Sequence, residues 1–395
     1  LAVLCLVAVL VIILFQWKKQ KILSSVCLVA AISFVSFGII NIFTINKEYN
    51  NFQEIAGGKS DTSGDIEPVY HLSKTGKNVV VFMLDRAESS YFEYILADQP
   101  DMKEAFTGFT YYKNTLAYNS HTLMGSPPLY GGYEYTPDKI NRRSEELLKD
   151  KHNEALLLMP RILTEEDGFT ATLSDSSWGN YSYVADMRFT DGYEKITGIS
   201  LNGKYTGKFK KEMVSDELAN NLENGVKRNL LWFSLFREVP CVIRPVVYYK
   251  GSWWNSEAVD NIDSVLDWYA PLHYLKDLTS FEKQDNTFIM ITNETTHSNE
   301  KVMFLNLVDS EIISYPTSTA YDINTIVYIS LAHWFNYLKE NGVYDNTRII
   351  IVSDHGMGYG EKAEEGYDKP GLNHNSKDDY HALLLVKDFN ASGAI

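Results

Sequence analysis

The sequence predicts an α/β domain with a mainly parallel sheet flanked by helices, preceded by transmembrane α-helices. Short continuous apolar runs, typical of strands buried on both faces, alternate with helical segments from residue 78 onward. The first 45 residues are apolar apart from a short lysine-rich break. The chain has 395 residues, of which 45% are hydrophobic and 22% are charged, enough for one large domain with appendages.

The N-terminus contains two apolar runs, residues 1–15 and 22–45, separated by QWKKQK at 16–21. The second run is long enough to cross about 30 Å of hydrocarbon as a helix. The chain begins with Leu, so we expect the first span to be truncated. A signal peptide or a buried helical hairpin is the alternative, but a long span after a basic loop favours a two-helix anchor. The lysines place the hairpin in the cytoplasm and everything after residue 45 outside it.

Residues 46–76 are polar, contain Gly and Ser, and lack a sustained apolar period, which predicts a linker. The remaining residues, 77–395, are then an extracytoplasmic domain of a multi-pass protein of the cell membrane. The net charge of −15 argues against a nucleic-acid partner. Cys5, Cys27 and Cys241 are too few and too scattered for a disulfide framework or a zinc ribbon.

The domain opens with a buried strand, NVVVFMLD at 78–85. Residues 156–176 are typical of a helix, a turn and a strand, and 286–297 (NTFIMITNETTH) contain another buried strand. A single apolar stripe predicts a helix over 320–342, and TRIIIVSD at 347–354 predicts the next buried strand. This alternation is the pattern of a parallel sheet.

Four side chains suited to metals or phosphates follow these strands. Asp85 ends the first strand, Asp354 and His355 end the last, and His297 lies just past a third. Ligands of such sheets gather beyond the carboxyl ends of the strands. Each residue alone is more often a turn former, a helix cap or a surface residue. Their shared position favours one functional site.

A loop at 118–137, YNSHTLMGSPPLYGGYEYTP, supplies hydroxyl groups among small residues. Thr122 precedes Gly125, Pro127 and Gly132. Small residues permit close backbone approach, and amides near a helix start can hold an anion. Alone, the segment is equally typical of an ordinary Gly/Pro turn.

These segments, in this order, resemble the alkaline phosphatase–sulfatase superfamily, and within it the membrane-anchored lipoteichoic acid synthases and phosphoethanolamine transferases. The resemblance covers roughly residues 78–390 and the anchor. NVVVFMLD resembles the first strand, which ends in an acidic metal ligand. FTYYKNTLAYNSHT resembles the approach to the nucleophile, NETTHS the strand that ends in a substrate-side histidine, and YDNTRIIIVSDHG the strand that ends in paired metal ligands. The family domain usually continues further, so we expect a truncated C-terminus.

The resemblance implies an alkaline-phosphatase-like sheet and one divalent metal ion, for which Mn²⁺ is our first choice and Zn²⁺ or Mg²⁺ are alternatives. It assigns the metal ligands Asp85, Thr122, Asp354 and His355. It assigns the catalytic residues Thr122, as nucleophile, His297, and a further histidine, for which we prefer His374 over His381.

The sequence departs from the family pattern at several positions. The first ligand is Asp85 where the transferases often have Glu, and Gly125 stands where a serine usually follows the nucleophile, which leaves Ser120 and Ser126 as rivals of Thr122. Cys241 lies outside a C-x-P-S-R pattern, which argues against formylglycine chemistry. Asn293 breaks the D-x-x-x-H pattern of a second metal site, which favours one ion.

Three classes of function stay open. The first is metal-dependent transfer of a phosphoryl-linked head group from a membrane phospholipid to a cell-envelope glycan or polymer, through a threonine intermediate. The second is hydrolysis of phosphate or sulfate esters on the same scaffold. The third is a binding protein without chemistry, which the four clustered site residues disfavour. The anchor and the absent formylglycine cysteine favour the transferase over the hydrolase. The aromatic segment YYKGSWWNS could line an acceptor site or be an ordinary core.

Overall fold

A computed structural model describes most of the chain. The described residues are 9, 11–13, 15–16, 19–55, 66–213, 232–233, 236–237, 239–249, 262–297, 304–305, 312–313, 320–357 and 378–395. The chain divides into two units, one of residues 1–54 with 220–259 and one of 55–219 with 260–395. The bounds 77–395 that we expect for the catalytic domain stay a prediction.

The N-terminal unit contains helix α1, Gln20–Ile55. Within it, Ser24–Asn51 is long and apolar enough to cross a membrane by length and composition, and it is the only such helix among the described residues. The first predicted span, residues 1–15, lies mostly outside the described residues. Helix α1 continues into the segment predicted as a linker because residues 46–55 contain no Gly or Pro. The same segment also forms a strand, β1, at Tyr70–Ser73.

The second unit is built on a seven-stranded sheet of order β3-β11-β10-β2-β7-β4-β5. Its strands are β2 Asn78–Leu84, β3 Phe109–Tyr111, β4 Thr170–Ser174, β5 Ile196–Ile199, β7 Thr287–Asn293, β10 Thr347–Val352 and β11 Leu384–Lys387. β11 pairs antiparallel with β10 and β3, and the other pairings are parallel. The prediction of a mainly parallel α/β sheet is confirmed.

The described residues also form two small sheets and further helices. β1 pairs in parallel with β6, Thr279–Lys283, and β8, Phe304–Leu305, pairs antiparallel with β9, Ile312–Ile313. The other described α-helices are α2 Ser89–Asp98, α3 Met102–Ala105, α4 Thr122–Gly131, α5 Pro137–Arg142, α6 Leu148–Glu166, α7 Thr206–Met213, α8 Arg244–Tyr248 of the N-terminal unit, α9 Ile262–His273 and α10 Ala320–Glu340.

The central strand β2 is covered on both faces because its side chains alternate between two helical layers. Val81 and Met83 lie in a core cluster with Leu156 of α6. Phe82, between them, contacts Trp334 of α10 edge-on, with ring centroids 5.4 Å apart. Because helices cover both faces of the sheet, β2 and β7 need apolar side chains on both faces, which explains their continuous apolar runs. The same packing fixes the positions of the strand ends.

Candidate active site

The carboxyl ends of β2 and β10 bring two aspartates together. Asp85 directly follows β2, and Asp354 follows β10 after Ser353. Because these strands are neighbours and run in parallel, their ends meet at one edge of the sheet. Asp85 is 3% exposed, Asp354 2% and His355 5%, so all three side chains are buried. One ligand atom from each lies within 4.8 Å of those of the other two.

In each aspartate, one carboxylate oxygen accepts hydrogen bonds from the protein and the other, which we call the open oxygen, accepts none from the described residues. Asp354 Oδ1 accepts hydrogen bonds from the amides of Arg86, at 3.2 Å, and His355, at 3.0 Å. Asp85 Oδ2 accepts one from the Thr122 hydroxyl. Among the described residues, Asp85 Oδ1 and Asp354 Oδ2 are buried without any hydrogen-bond partner. Burial, with the charges of Asp354 and Glu294, raises the pKa of Asp85 well above its usual value.

His355 presents its free ring nitrogen to both aspartates. Its Nδ1 donates to the carbonyl of Gly356 at 2.7 Å, which leaves Nε2 to face the two aspartates. That Nε2 lies 3.6 Å from Asp85 Oδ1 and 3.8 Å from Asp354 Oδ2, the two open oxygens. Two buried carboxylate oxygens without a hydrogen-bond partner among the described residues, together with a neighbouring imidazole nitrogen, are a donor set that fits a divalent cation.

Thr122 completes this cluster from the start of helix α4. Its Oγ1 donates to Asp85 Oδ2 at 3.1 Å and lies 3.4 Å from His355 Nε2. As the first residue of the helix it stands at the positive end of the helix dipole, which favours a nearby anion. Gly125, one turn later, permits the approach: a Cβ there would lie 2.8 Å from the carbonyl oxygen of Asp354.

The hydroxyl groups of the two serines that rival Thr122 contact other groups. Ser126 is fully buried, and its hydroxyl donates to the carbonyl of Thr122 at 2.8 Å within the helix. The Ser120 hydroxyl lies 3.1 Å from Nδ1 of His121. Neither serine has a contact to the aspartates comparable with that of Thr122.

An open pocket of about 480 Å³ lies over the cluster, and its wall includes Thr122, Asp85 and His355. His297 lies on its exposed rim, in the 3₁₀ turn Thr295–His297 after β7. The protein around the ring, with the positive charges of Arg86 and His355, lowers the pKa of His297 to about 4. The ring is therefore neutral at pH 7.

The two remaining histidines of the sequence analysis are not in this pocket's described lining. His374 lies outside the described residues. His381 instead contacts the carbonyl of Lys113 through Nε2, at 2.6 Å, and its Nδ1 lies 3.7 Å from Glu88.

The pocket also contains groups that sequence reasoning missed. Glu294 follows β7, so the strand-end rule that selected Asp85 would have found it; burial, with the charges of Asp354 and Asp175, raises its pKa to about 7. Arg86 is the neighbour of Asp85. Trp178 and Tyr183 line the far wall, on the chain that follows β4. No sequence periodicity identifies these last two, because they lie in an irregular segment.

The structure is similar to solved structures of the superfamily that the sequence motifs resemble. One is a protein of the alkaline phosphatase superfamily from Vibrio parahaemolyticus, at 12% identity and a TM-score of 0.39, covering 86% of this chain and 69% of that one. Another is the soluble domain of lipooligosaccharide phosphoethanolamine transferase A from Neisseria meningitidis, at 9% identity and a TM-score of 0.41, covering 83% of this chain and 80% of that one. A third is the lipoteichoic acid synthase LtaP from Listeria monocytogenes, at 13% identity and a TM-score of 0.36, covering 84% of this chain and 71% of that one.

No protein-family model matches the sequence, and no curated protein matches it significantly. These three structural likenesses, each with a TM-score below 0.5, do not assign a chemistry to this chain. The chemistry has to be argued from its own residues.

Proposed function

We propose that the protein transfers a phosphoryl-linked head group from a membrane phospholipid to a cell-envelope glycan or polymer, with Thr122 as the covalent carrier. The observation that carries this proposal is the position of the Thr122 hydroxyl, 3.1 Å from Asp85 and 3.4 Å from His355 at a helix start. A hydroxyl held between a carboxylate and an imidazole, beside an open pocket, is the arrangement that nucleophilic catalysis needs.

Asp85, Asp354, His355 and Thr122 would hold one divalent ion, with Mn²⁺ as the first choice. The two buried, unpartnered aspartate oxygens support this, because a cation would offset their mutual repulsion. When bound, such an ion supplies positive charge against the phosphate and lowers the pKa of a coordinated hydroxyl.

The first half-reaction forms a bond between Thr122 Oγ and phosphorus and breaks the bond from phosphorus to the lipid's glycerol oxygen. The hydroxyl proton passes toward Asp85 Oδ2, which already accepts its hydrogen bond, and then to solvent. The departing oxygen takes a proton from water, leaving diacylglycerol. Thr122 then carries the head group as a phosphodiester.

The second half-reaction transfers the head group to an acceptor hydroxyl. That oxygen bonds to phosphorus, the bond from phosphorus to Thr122 Oγ breaks, and Thr122 recovers a proton. The proton of the acceptor hydroxyl passes to solvent, and the neutral ring of His297 on the pocket rim can accept a hydrogen bond that orients this hydroxyl. His374 remains a proposed partner in this role.

The N-terminal helix supports a membrane location. Ser24–Asn51 is a candidate span, and a lipid donor requires the enzyme to work at a bilayer. We retain the two-span, multi-pass topology with an extracytoplasmic catalytic domain as part of this proposal. The donor lipid and the acceptor are defined here only by class.

The test is intact-protein mass spectrometry after the Mn²⁺-loaded full chain meets liposomes of phosphatidylethanolamine and phosphatidylglycerol. We expect a mass increase of one phosphoryl head group that maps to Thr122 and is absent from Thr122→Ala. Ser126→Ala is the matched control, since its hydroxyl lies one turn away and only donates to a backbone carbonyl; it should retain the adduct.

Two outcomes would change the assignment. An adduct on Ser126 would move the nucleophile but keep the covalent mechanism. Normal turnover by Thr122→Ala with no adduct anywhere would make a water molecule the nucleophile. The enzyme would then be a hydrolase, releasing the free head group without an acceptor.

A further inference from the structure

Arg86 occupies a turn that is unfavourable for its residue type. The amide of Ala87 donates to the carbonyl of Leu84 at 3.2 Å, which closes a turn directly after β2. Within this turn Arg86 has a φ of 61°, in the left-handed region. Glycine and asparagine adopt this conformation far more readily than residues with long side chains. Such strain persists where the surrounding structure over-determines it, and it is concentrated at functional sites.

The strained residue lies between the two aspartates of the site. It is the chain neighbour of Asp85, and its amide donates to Asp354 Oδ1 at 3.2 Å. The backbone of residue 86 thus helps to orient a carboxylate. A glycine at position 86 would supply the same amide without strain, so this hydrogen bond does not explain why the residue is an arginine.

Arg86 lines the pocket together with Thr122 and His297. Of the described residues that line this pocket, it alone carries a permanent positive charge, whereas Asp85, Glu294 and Asp379 are acidic. A divalent ion would be balanced by the charges of Asp85 and Asp354. A phosphate diester that enters brings one more negative charge, and among these described residues the guanidinium is the group that matches it.

We propose that the Arg86 guanidinium binds the non-bridging oxygens of the phosphate that Thr122 attacks, and that the left-handed turn serves to place this side chain in the pocket. Guanidinium has a planar fork of donors that matches two phosphate oxygens at once. This inference rests on the proposed function, because it assigns the anion-binding group of the same site.

The test measures binding of inorganic phosphate to the Mn²⁺-saturated full chain by calorimetry, which requires no covalent step. Arg86→Gly removes the guanidinium but suits the turn. We expect phosphate affinity to fall about 10- to 100-fold, with the thermal midpoint no more than about 3 °C below wild type. Arg86→Lys keeps the charge and the strain but loses the fork, so its affinity should be intermediate.

A control variant separates the effect of relieving backbone strain from the effect of losing the guanidinium. Asn390 has a φ of 54° in the turn after β11, outside this pocket's described lining, so Asn390→Gly tests strain relief alone and should bind phosphate like wild type. Because the binding of inorganic phosphate involves no covalent step, a failure of the covalent mechanism would not hide this result.

Three results would overturn the inference. The first is a wild-type protein that does not bind phosphate. The second is an Arg86→Gly protein that binds it as tightly as wild type. The third is a parallel loss of Mn²⁺ affinity in Arg86→Gly, since Arg86 would then act by holding the carboxylates rather than by contacting the anion.

Discussion

The strand pair β10 and β11 has a buried charged group at each end. At one end, which we call the closed end, every donor of the charged group has a partner; at the other, which we call the open end, a carboxylate oxygen has no hydrogen-bond partner in the described part of the chain. At the end formed by Thr347 and Lys387, the fully buried Lys387 ammonium donates to the carbonyls of Tyr344, at 2.5 Å, and Thr347, at 3.0 Å. A third carbonyl, of Asp388, lies at 3.3 Å. At the other end, Asp354 Oδ2 has no partner among the described residues, and neither has the facing Asp85 Oδ1.

This difference separates a structural buried charge from a functional one. An ammonium with three donors and three acceptors is complete and needs no further ligand. Two carboxylates with open oxygens are costly to keep unless a cation completes them. Since both ends share one strand pair, the contrast reflects what each end is used for rather than how well the region is packed.

The largest expected effect is on catalysis at the open end. Thr122→Ala should lower turnover by about 10³-fold or more, because it removes the attacking oxygen. Thr122→Ser keeps a hydroxyl and should retain measurable turnover. Head-group release from labelled phospholipid is the measurement, with Mn²⁺ affinity as the check that the site is intact. Equal activity of the alanine and serine variants would show that the hydroxyl is not the nucleophile.

At the closed end we expect an effect on stability alone. Lys387→Met fills a similar volume but leaves the carbonyls of Tyr344 and Thr347 without this donor, at about 1–3 kcal/mol per unpaired group. Denaturant unfolding should show a lower free energy of unfolding, while Mn²⁺ affinity stays unchanged. A loss of Mn²⁺ affinity at constant stability would contradict the division of roles between the two ends.

A smaller effect concerns pH. Burial lowers the pKa of Lys387 to about 8, against the opposing charges of Asp345 and Asp388, while its value in the unfolded chain is 10.5. Between these values the unfolded chain binds more protons, so this residue makes the free energy of unfolding rise with pH above about 8. The wild type should show this rise relative to Lys387→Met. A parallel pH dependence of the two proteins would disprove it.

The sequence predicted the parts of the site that follow buried strands. Asp85, Asp354 and His297 stand after continuous apolar runs, and parallel strands end at one edge. Glu294 follows the same rule and was missed only because its neighbours resembled a family motif. The contact of Thr122 with Asp85 joins positions far apart in the chain, so only the fold shows that Thr122 contacts Asp85 whereas Ser126 donates to a backbone carbonyl.

Other features have no local signal. Helix α1 runs on to Ile55 because nothing in residues 46–55 stops it, although their polarity is typical of a linker. The positive φ of Arg86 is set by the turn between β2 and α2, and no sequence pattern marks an arginine for that conformation.

We infer that Asp85 and Asp354 form a metal site and that keeping these two carboxylates together lowers stability when no metal is bound. Asp354→Asn tests it most directly, through thermal unfolding of wild type and variant with and without Mn²⁺. Without metal, the variant should be more stable by about 1 kcal/mol, because one of two facing buried charges is gone. With Mn²⁺ at 100 times its dissociation constant, the wild type should gain about 2.7 kcal/mol and the variant almost nothing. If Mn²⁺ stabilised the variant as much as the wild type, Asp354 would not be a ligand of the metal ion.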